Sequence, residues 1–169
     1  MSNISATNAI VMAEAMKVIT STRDINLENC CVDDDDACAL ANMLKIDSNV
    51  ECINLENCSI GDYGACALAD ALKVNTTLKE INLNNNFIGD VGACELADML
   101  KVNTSLETIS LEKNSIDDDG GYAMADALKV NTTLITISLL QNRIGNDSSN
   151  AIDDALNANE NASLVYISY

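Results

Sequence analysis

Three groups of residues in this chain are of types that do chemistry. Asp33-Asp34-Asp35-Asp36 and Asp117-Asp118-Asp119 cluster carboxylates, and such clusters suit calcium, which takes about six to eight oxygen ligands. Neither run carries the glycine at a sixth position or the terminal bidentate Glu of a calcium loop. Consecutive side chains at a helix start also point in different directions. We read both runs as solvated helix-capping acids, with an acidic calcium-binding protein as the alternative, and assign no metal ligands and no cofactor. Seven cysteines follow neither a zinc nor a disulfide spacing. Cys52 is the thiol expected to be open to solvent, with no basic neighbour to lower its pKa. Asn75, Asn103 and Asn131 open N-x-S/T triplets. These are glycosylation acceptors in a secreted protein and repeat-fixed turn residues otherwise. No histidine is available as a general base, and no glycine-rich phosphate loop is present. We therefore assign no catalytic residue and read the chain as non-enzymatic.

The elements that hold these residues follow from a repeat. KEINLNNNFIGDVGACELADMLKVNTSL, Lys79 to Leu106, recurs nearly unchanged from Glu51 and again from Glu107, a spacing of 28 residues. A fixed period of about 20–50 residues signals a stacked array. Repeats run 23–50, 51–78, 79–106, 107–134 and 135–164 within a single domain, 1–169. Residues 1–22 read as the helical half of a preceding repeat, a partial cap, and 165–169 as a terminal strand. Inside each repeat the apolar period changes. Ile81-Asn82-Leu83-Asn84 alternates as a half-buried strand does, whereas Ala93, Leu96, Ala97 and Leu100 share one face of a helix. Asp62 and Asp90 are suited to start their helices, where a short acidic side chain satisfies free backbone N–H groups. Lys45, Lys73, Lys101 and Lys129 recur near the opposite, negative helix end, with Asp98 three residues before Lys101 and in reach of it. A strand and a helix repeated without reversal give parallel strands with right-handed crossovers, and neighbouring repeats bury one another's apolar faces.

The pattern LxxIxLxxNxI, seen as Leu78, Ile81, Leu83, Asn86 and Ile88, resembles the leucine-rich repeat. The repeat length, the GxxxLAxxL helix and the Cys/Asn alternation at Cys30, Cys58, Asn86, Asn114 and Asn142 are similar to the ribonuclease-inhibitor-like subfamily. The resemblance implies an α/β solenoid, a curved horseshoe with parallel strands on its concave face and helices on its convex face. It implies that the Cys/Asn side chains point inward and bond turn backbone, and that the chain binds protein. A tropomodulin-like actin-regulatory module is a further alternative within the family, although nothing here resembles the amphipathic actin-binding segments of such proteins.

Function is then expected on the outward strand positions, which fall in three columns. The first holds Asp24, Cys52, Glu80, Thr108, Thr136 and Tyr166; the second Asn26, Asn54, Asn82, Ser110, Ser138 and Ser168; the third Glu28, Glu56, Asn84, Glu112 and Leu140. Amides giving way to hydroxyls in the second column offer hydrogen bonds to a partner. Carboxylates dominate the early strands, while Leu140 and Tyr166 make the far end more apolar. A net charge of −17 argues against nucleic acid and anionic membranes and points to a basic protein partner. The N-terminal residues lack a secretory signal, and no stretch approaches the ~20 apolar residues of a membrane span; a cytoplasmic location is expected. Cys38, Cys66 and Cys94 share a helical column in which neighbours pack ~8–10 Å apart, and inward burial is expected to separate Cys30 from Cys58. All seven thiols are therefore expected to be free. Val165–Tyr169 reads as an unpaired parallel edge with Tyr166 as an anchor. A monomer is expected, with self-association through this C-terminal edge as the alternative.

Overall fold

The computed structural model describes residues 23–46 and 49–159. Five short strands, β1 (Asp24–Asn26), β2 (Cys52–Asn54), β3 (Glu80–Asn82), β4 (Thr108–Ser110) and β5 (Thr136–Ser138), alternate with five helices. The helices are α1 (Asp34–Leu44), α2 (Asp62–Leu72), α3 (Asp90–Leu100), α4 (Asp118–Leu128) and α5 (Asn146–Ala158). The strands form one parallel sheet in sequence order. Its register advances by one repeat per strand, pairing Asp24 with Cys52, Cys52 with Glu80, Glu80 with Thr108 and Thr108 with Thr136. Each helix packs on the helix of the next repeat. The partial cap expected at 1–22 and the terminal strand at 165–169 lie outside the described residues.

The core runs between the two layers. Ile53, Ile81, Ile109 and Ile137 come from the strands, and Leu55, Leu83, Leu111 and Leu139 follow them; all are buried. The helix face expected from spacing, Ala93, Leu96, Ala97 and Leu100, is buried too. Small residues let the helix starts approach closely. A Cβ on Gly92 would lie 2.9 Å from Ala65 Cβ, Asp62 Oδ1 and Ile88 Cγ2, closer than packed atoms allow. Glycine therefore stands at the third position of α2, α3 and α4, as Gly64, Gly92 and Gly120.

Two asparagine systems turn the chain at either end of the repeat. After each strand one residue takes the left-handed conformation: Asn29, Asn57, Asn85, Lys113 and Gln141, with φ between 53° and 58°. Asparagine tolerates this region better than most residues. Here Asn57 Nδ2 also donates to Asn29 Oδ1, and Asn85 Nδ2 to Asn57 Oδ1, each at 2.6 Å. After α2, α3 and α4 the triplet asparagines hold the turn. Buried Asn103 donates to Leu72 O (2.7 Å) and Asn75 O (3.2 Å) of the preceding repeat and accepts from the amides of Ser105 and Leu106. Asn75 and Asn131 are buried and bonded in the same way.

Candidate functional site

The carboxylates divide by task. Asp62 and Asp90 do begin their helices, but the amides they bind belong to the next repeat, which corrects the expectation that each caps its own. Asp62 Oδ1 accepts from Gly89 N and Gly92 N, both at 2.8 Å. Asp34 does the same for Gly61 and Gly64, and Asp90 for Asp117 and Gly120. Asp118 accepts from Gly145 N at 2.8 Å and from the Ser148 hydroxyl in a short contact. Each acid thus satisfies orphan N–H groups at its neighbour's helix start, where the dipole favours negative charge. This geometry accounts for one acid of each aspartate run, Asp34 and Asp118. In the first run, Asp33 caps α1 and exchanges bonds with Asp36 in a capping box, and Asp35 is exposed. Burial pushes the Asp36 carboxyl above its ordinary value despite the Asp33 backbone bond. Among the described residues no group of three or more His, Cys, Asp or Glu side chains is placed to hold a metal ion.

The Cys/Asn column points inward over most of its length. Asn86 donates to Leu55 O, Leu83 O and Asn84 O and accepts from Ile60 N; Asn114 repeats the set. Cys58 is buried, and its thiol reaches Leu27 O at 3.4 Å. Cys30 departs from the expectation: it is exposed. Later members of the column reach a carbonyl 31 residues back. All seven cysteines are free thiols.

The strand face brings the expected columns together in register. Asp24, Asn26, Glu28 and Glu80 are exposed, and Cys52, Asn54, Glu56, Asn82, Asn84, Thr108, Ser110, Glu112, Thr136 and Leu140 are half-buried. Two of the expected site residues are corrected. Ser138 is buried, with 5% of its surface exposed, because its hydroxyl folds onto Glu112 Oε1 at 2.6 Å. Cys52 is not an open thiol: it is half-buried, and burial, then Asp24 and Glu80 on either side, push its pKa up. Cys30 and Cys31 are the exposed thiols. Tyr166 and Ser168 lie outside the described residues.

Nothing in the residue pattern signals how far the second column is internally engaged. Asn26, Asn54 and Asn82 each accept, through Oδ1, the amide two residues on, at 3.0 Å. Asn54 donates back to Glu28 at 3.5 Å and Asn82 to Glu56 at 3.1 Å. Asn84 Oδ1 takes the Glu112 amide at 2.7 Å. These amides serve as strand-end clasps, leaving the carboxylates, with about four lone-pair sites each, as the groups with acceptor capacity to spare. No Lys or Arg stands in any of the three columns. Basic residues are held at the margins, where Lys79 pairs with Glu107 at 2.9 Å and Arg23 with Glu51. On the outer helices Lys73, Lys101 and Lys129 pair with Asp70, Asp98 and Asp126, and these lysines hold the Asp98 and Asp126 carboxyls below the usual range. Such exposed pairs contribute little stability.

Comparison with known proteins agrees with this architecture. A family model described as leucine rich repeat matches residues 74–97 and 102–125. The chain folds as a leucine-rich repeat solenoid. Among solved structures, this leucine-rich repeat chain is similar to one titled "Leiomodin-1 Actin-Binding Site 2 (ABS2)". The TM-score is 0.73 at 21% identity, with 94% of this chain and 91% of that chain covered. It is also similar to a Caenorhabditis elegans tropomodulin C-terminal domain, with a TM-score of 0.69 at 17% identity and 92% and 93% covered. The comparison with curated proteins found no match. Among the described residues no helix is long and apolar enough to cross a membrane.

Proposed function

We propose that this leucine-rich repeat chain is a non-catalytic protein-interaction module of the cytoplasm, a scaffold or adaptor that docks a basic protein partner on its strand face. The observation that carries this reading is the charge of that face. Asp24, Glu28, Glu56, Glu80 and Glu112 stand in columns free of basic side chains, on a sheet whose amides are already clasped. Acids held on a rigid ladder need little ordering when a partner arrives, and exposed charges at an interface act mainly on association rate. The 28-residue period and the inward Cys/Asn column further support a ribonuclease-inhibitor-like repeat. The test is a pair of substitutions, Asp24→Lys with Glu80→Lys, at exposed positions flanking Cys52 in register. Glu56 is a poorer choice because it holds Asn82. For a partner recovered from the source cell, the pair should slow association and flatten its salt dependence while circular dichroism stays unchanged. Unaltered association kinetics would place the contact elsewhere.

A second reading specifies actin as the partner. It is favoured by likeness over nearly the whole chain to a domain whose title names an actin-binding site. Titration of labelled monomeric actin tests it. Saturable binding weakened by the Asp24→Lys, Glu80→Lys pair supports it, and absence of binding removes actin while leaving the protein-binding reading standing.

A further inference from the structure

In a repeat array, positions that the fold dictates keep their chemistry from repeat to repeat, so an exposed apolar residue that breaks its column is not there for folding. Three such residues stand on neighbouring repeats. Phe87, the one phenylalanine of the chain, is 67% exposed, Tyr63 67% and Val91 63%. The positions equivalent to Phe87 hold Cys31, Ser59, Ser115 and Arg143; those equivalent to Tyr63 and Val91 hold Asp35, Asp119 and Asp147. The same backbone is thus built with small or acidic residues at these sites. Tyr63 and Val91 are the second residues of α2 and α3. The Phe87 amide donates to Ile60 O at 2.8 Å, which sets Phe87 beside the turn leading into α2. All three therefore lie where the chain enters the helices.

Charge frames this apolar patch. Across successive helices one column reads Asp35, Tyr63, Val91, Asp119, and both outer acids are exposed. The inter-repeat caps occupy Asp34, Asp62 and Asp90 but not these two. Arg143 stands in the Phe87 column two repeats on, and Lys113 lies two residues before Ser115, the equivalent position of the next repeat. We propose that Phe87, Tyr63 and Val91 form a second docking surface, for a protein segment with an apolar centre and basic residues at both ends. Asp35 and Asp119 are three helix spacings apart, roughly 25–30 Å at ~8–10 Å each, a span an extended segment of about nine residues covers. This surface is independent of the strand-face reading.

The probe is a pair of synthetic peptides of about nine residues, each with a Leu/Phe centre, one with lysines at both ends and one with glutamates. Each is titrated into the ¹⁵N-labelled chain. The lysine-ended peptide should shift the amides around Tyr63, Phe87 and Val91, and the glutamate-ended one should not. Phe87→Ser with Tyr63→Asp and Val91→Asp installs residues that neighbouring repeats already carry, and should weaken binding by about tenfold or more. Non-specific attraction would instead strengthen with two added acids. Phe87→Ser alone serves if the triple variant does not fold, and the Asp24→Lys, Glu80→Lys pair should leave the response at these amides unchanged. No shift at these residues, an equal response to both peptides, undiminished binding by the variants, or loss of binding through the strand-face pair would overturn the proposal.

Discussion

Asp62 and Gly92, 30 residues apart and in successive repeats, are joined by a 2.8 Å hydrogen bond from the glycine amide to Asp62 Oδ1. The same oxygen holds Gly89 N, so one carboxylate closes the start of its neighbour's helix. Asp62→Ala should therefore cost about 1–2 kcal/mol, as loss of a helix cap does. Asp35→Ala, at the exposed second position of α1, should change stability by no more than about 0.5 kcal/mol. Urea unfolding with a constant slope measures both, and equal losses would contradict the inter-repeat cap.

Acid should expose the same device. The Ser148 hydroxyl, and after it the Gly145 amide, hold the Asp118 carboxyl below the usual aspartate value. A depressed folded pKa contributes stability that is present above the unfolded value, about 3.9, and lost as pH falls through the folded one. Asp118→Ala should be the less stable chain at about pH 7, and the two should converge as pH falls below about 4. A gap that stays constant with pH would contradict this.

Close helix approach predicts an asymmetry between glycines. Gly92→Ala places a Cβ 2.9 Å from three atoms and should destabilise by about 1–3 kcal/mol, although alanine is the better helix former by ~1 kcal/mol. Gly61→Asp should be tolerated, because Asp33 and Asp117 occupy the same cap position in other repeats. The reverse order in thermal or urea melts would contradict the packing argument.

Much of this was legible in the residues. The alternation at Ile81–Asn84 and the spacing of Ala93, Leu96, Ala97 and Leu100 marked the strand, the helix and the buried face, because these periods report which way a side chain points. The 28-residue period likewise marked the parallel register. What the period hides is contact between repeats. Asp62 looks the same whether it caps its own helix or the next, and Asn82 looks like a free amide until its partners Glu56 and Asn84 are in place. The burial of Ser138 is hidden for the same reason, since Glu112 reaches it from the adjacent strand.

The left-handed column offers a stabilising change. Lys113 sits at φ 53° where earlier repeats carry Asn29, Asn57 and Asn85. A residue with a long side chain pays more for this region than asparagine, out of about 1–2 kcal/mol for a typical L-residue. Lys113→Asn should raise stability by up to about 1 kcal/mol, read as a higher urea midpoint. A lowered midpoint would show that the lysine makes a compensating contact.

Docking on the strand face is tested most directly by site-specific photo-crosslinking in extract of the source cell. One chain carries the crosslinker at Thr108, on the strand face, and another at Asp126, exposed on the outer side of α4. The Thr108 site is expected to give a discrete, saturable protein adduct. Unlabelled parent chain should compete for it, the Asp24→Lys, Glu80→Lys variant should not, and the Asp126 site should give none. A competed adduct from Asp126 with none from Thr108 would contradict strand-face docking.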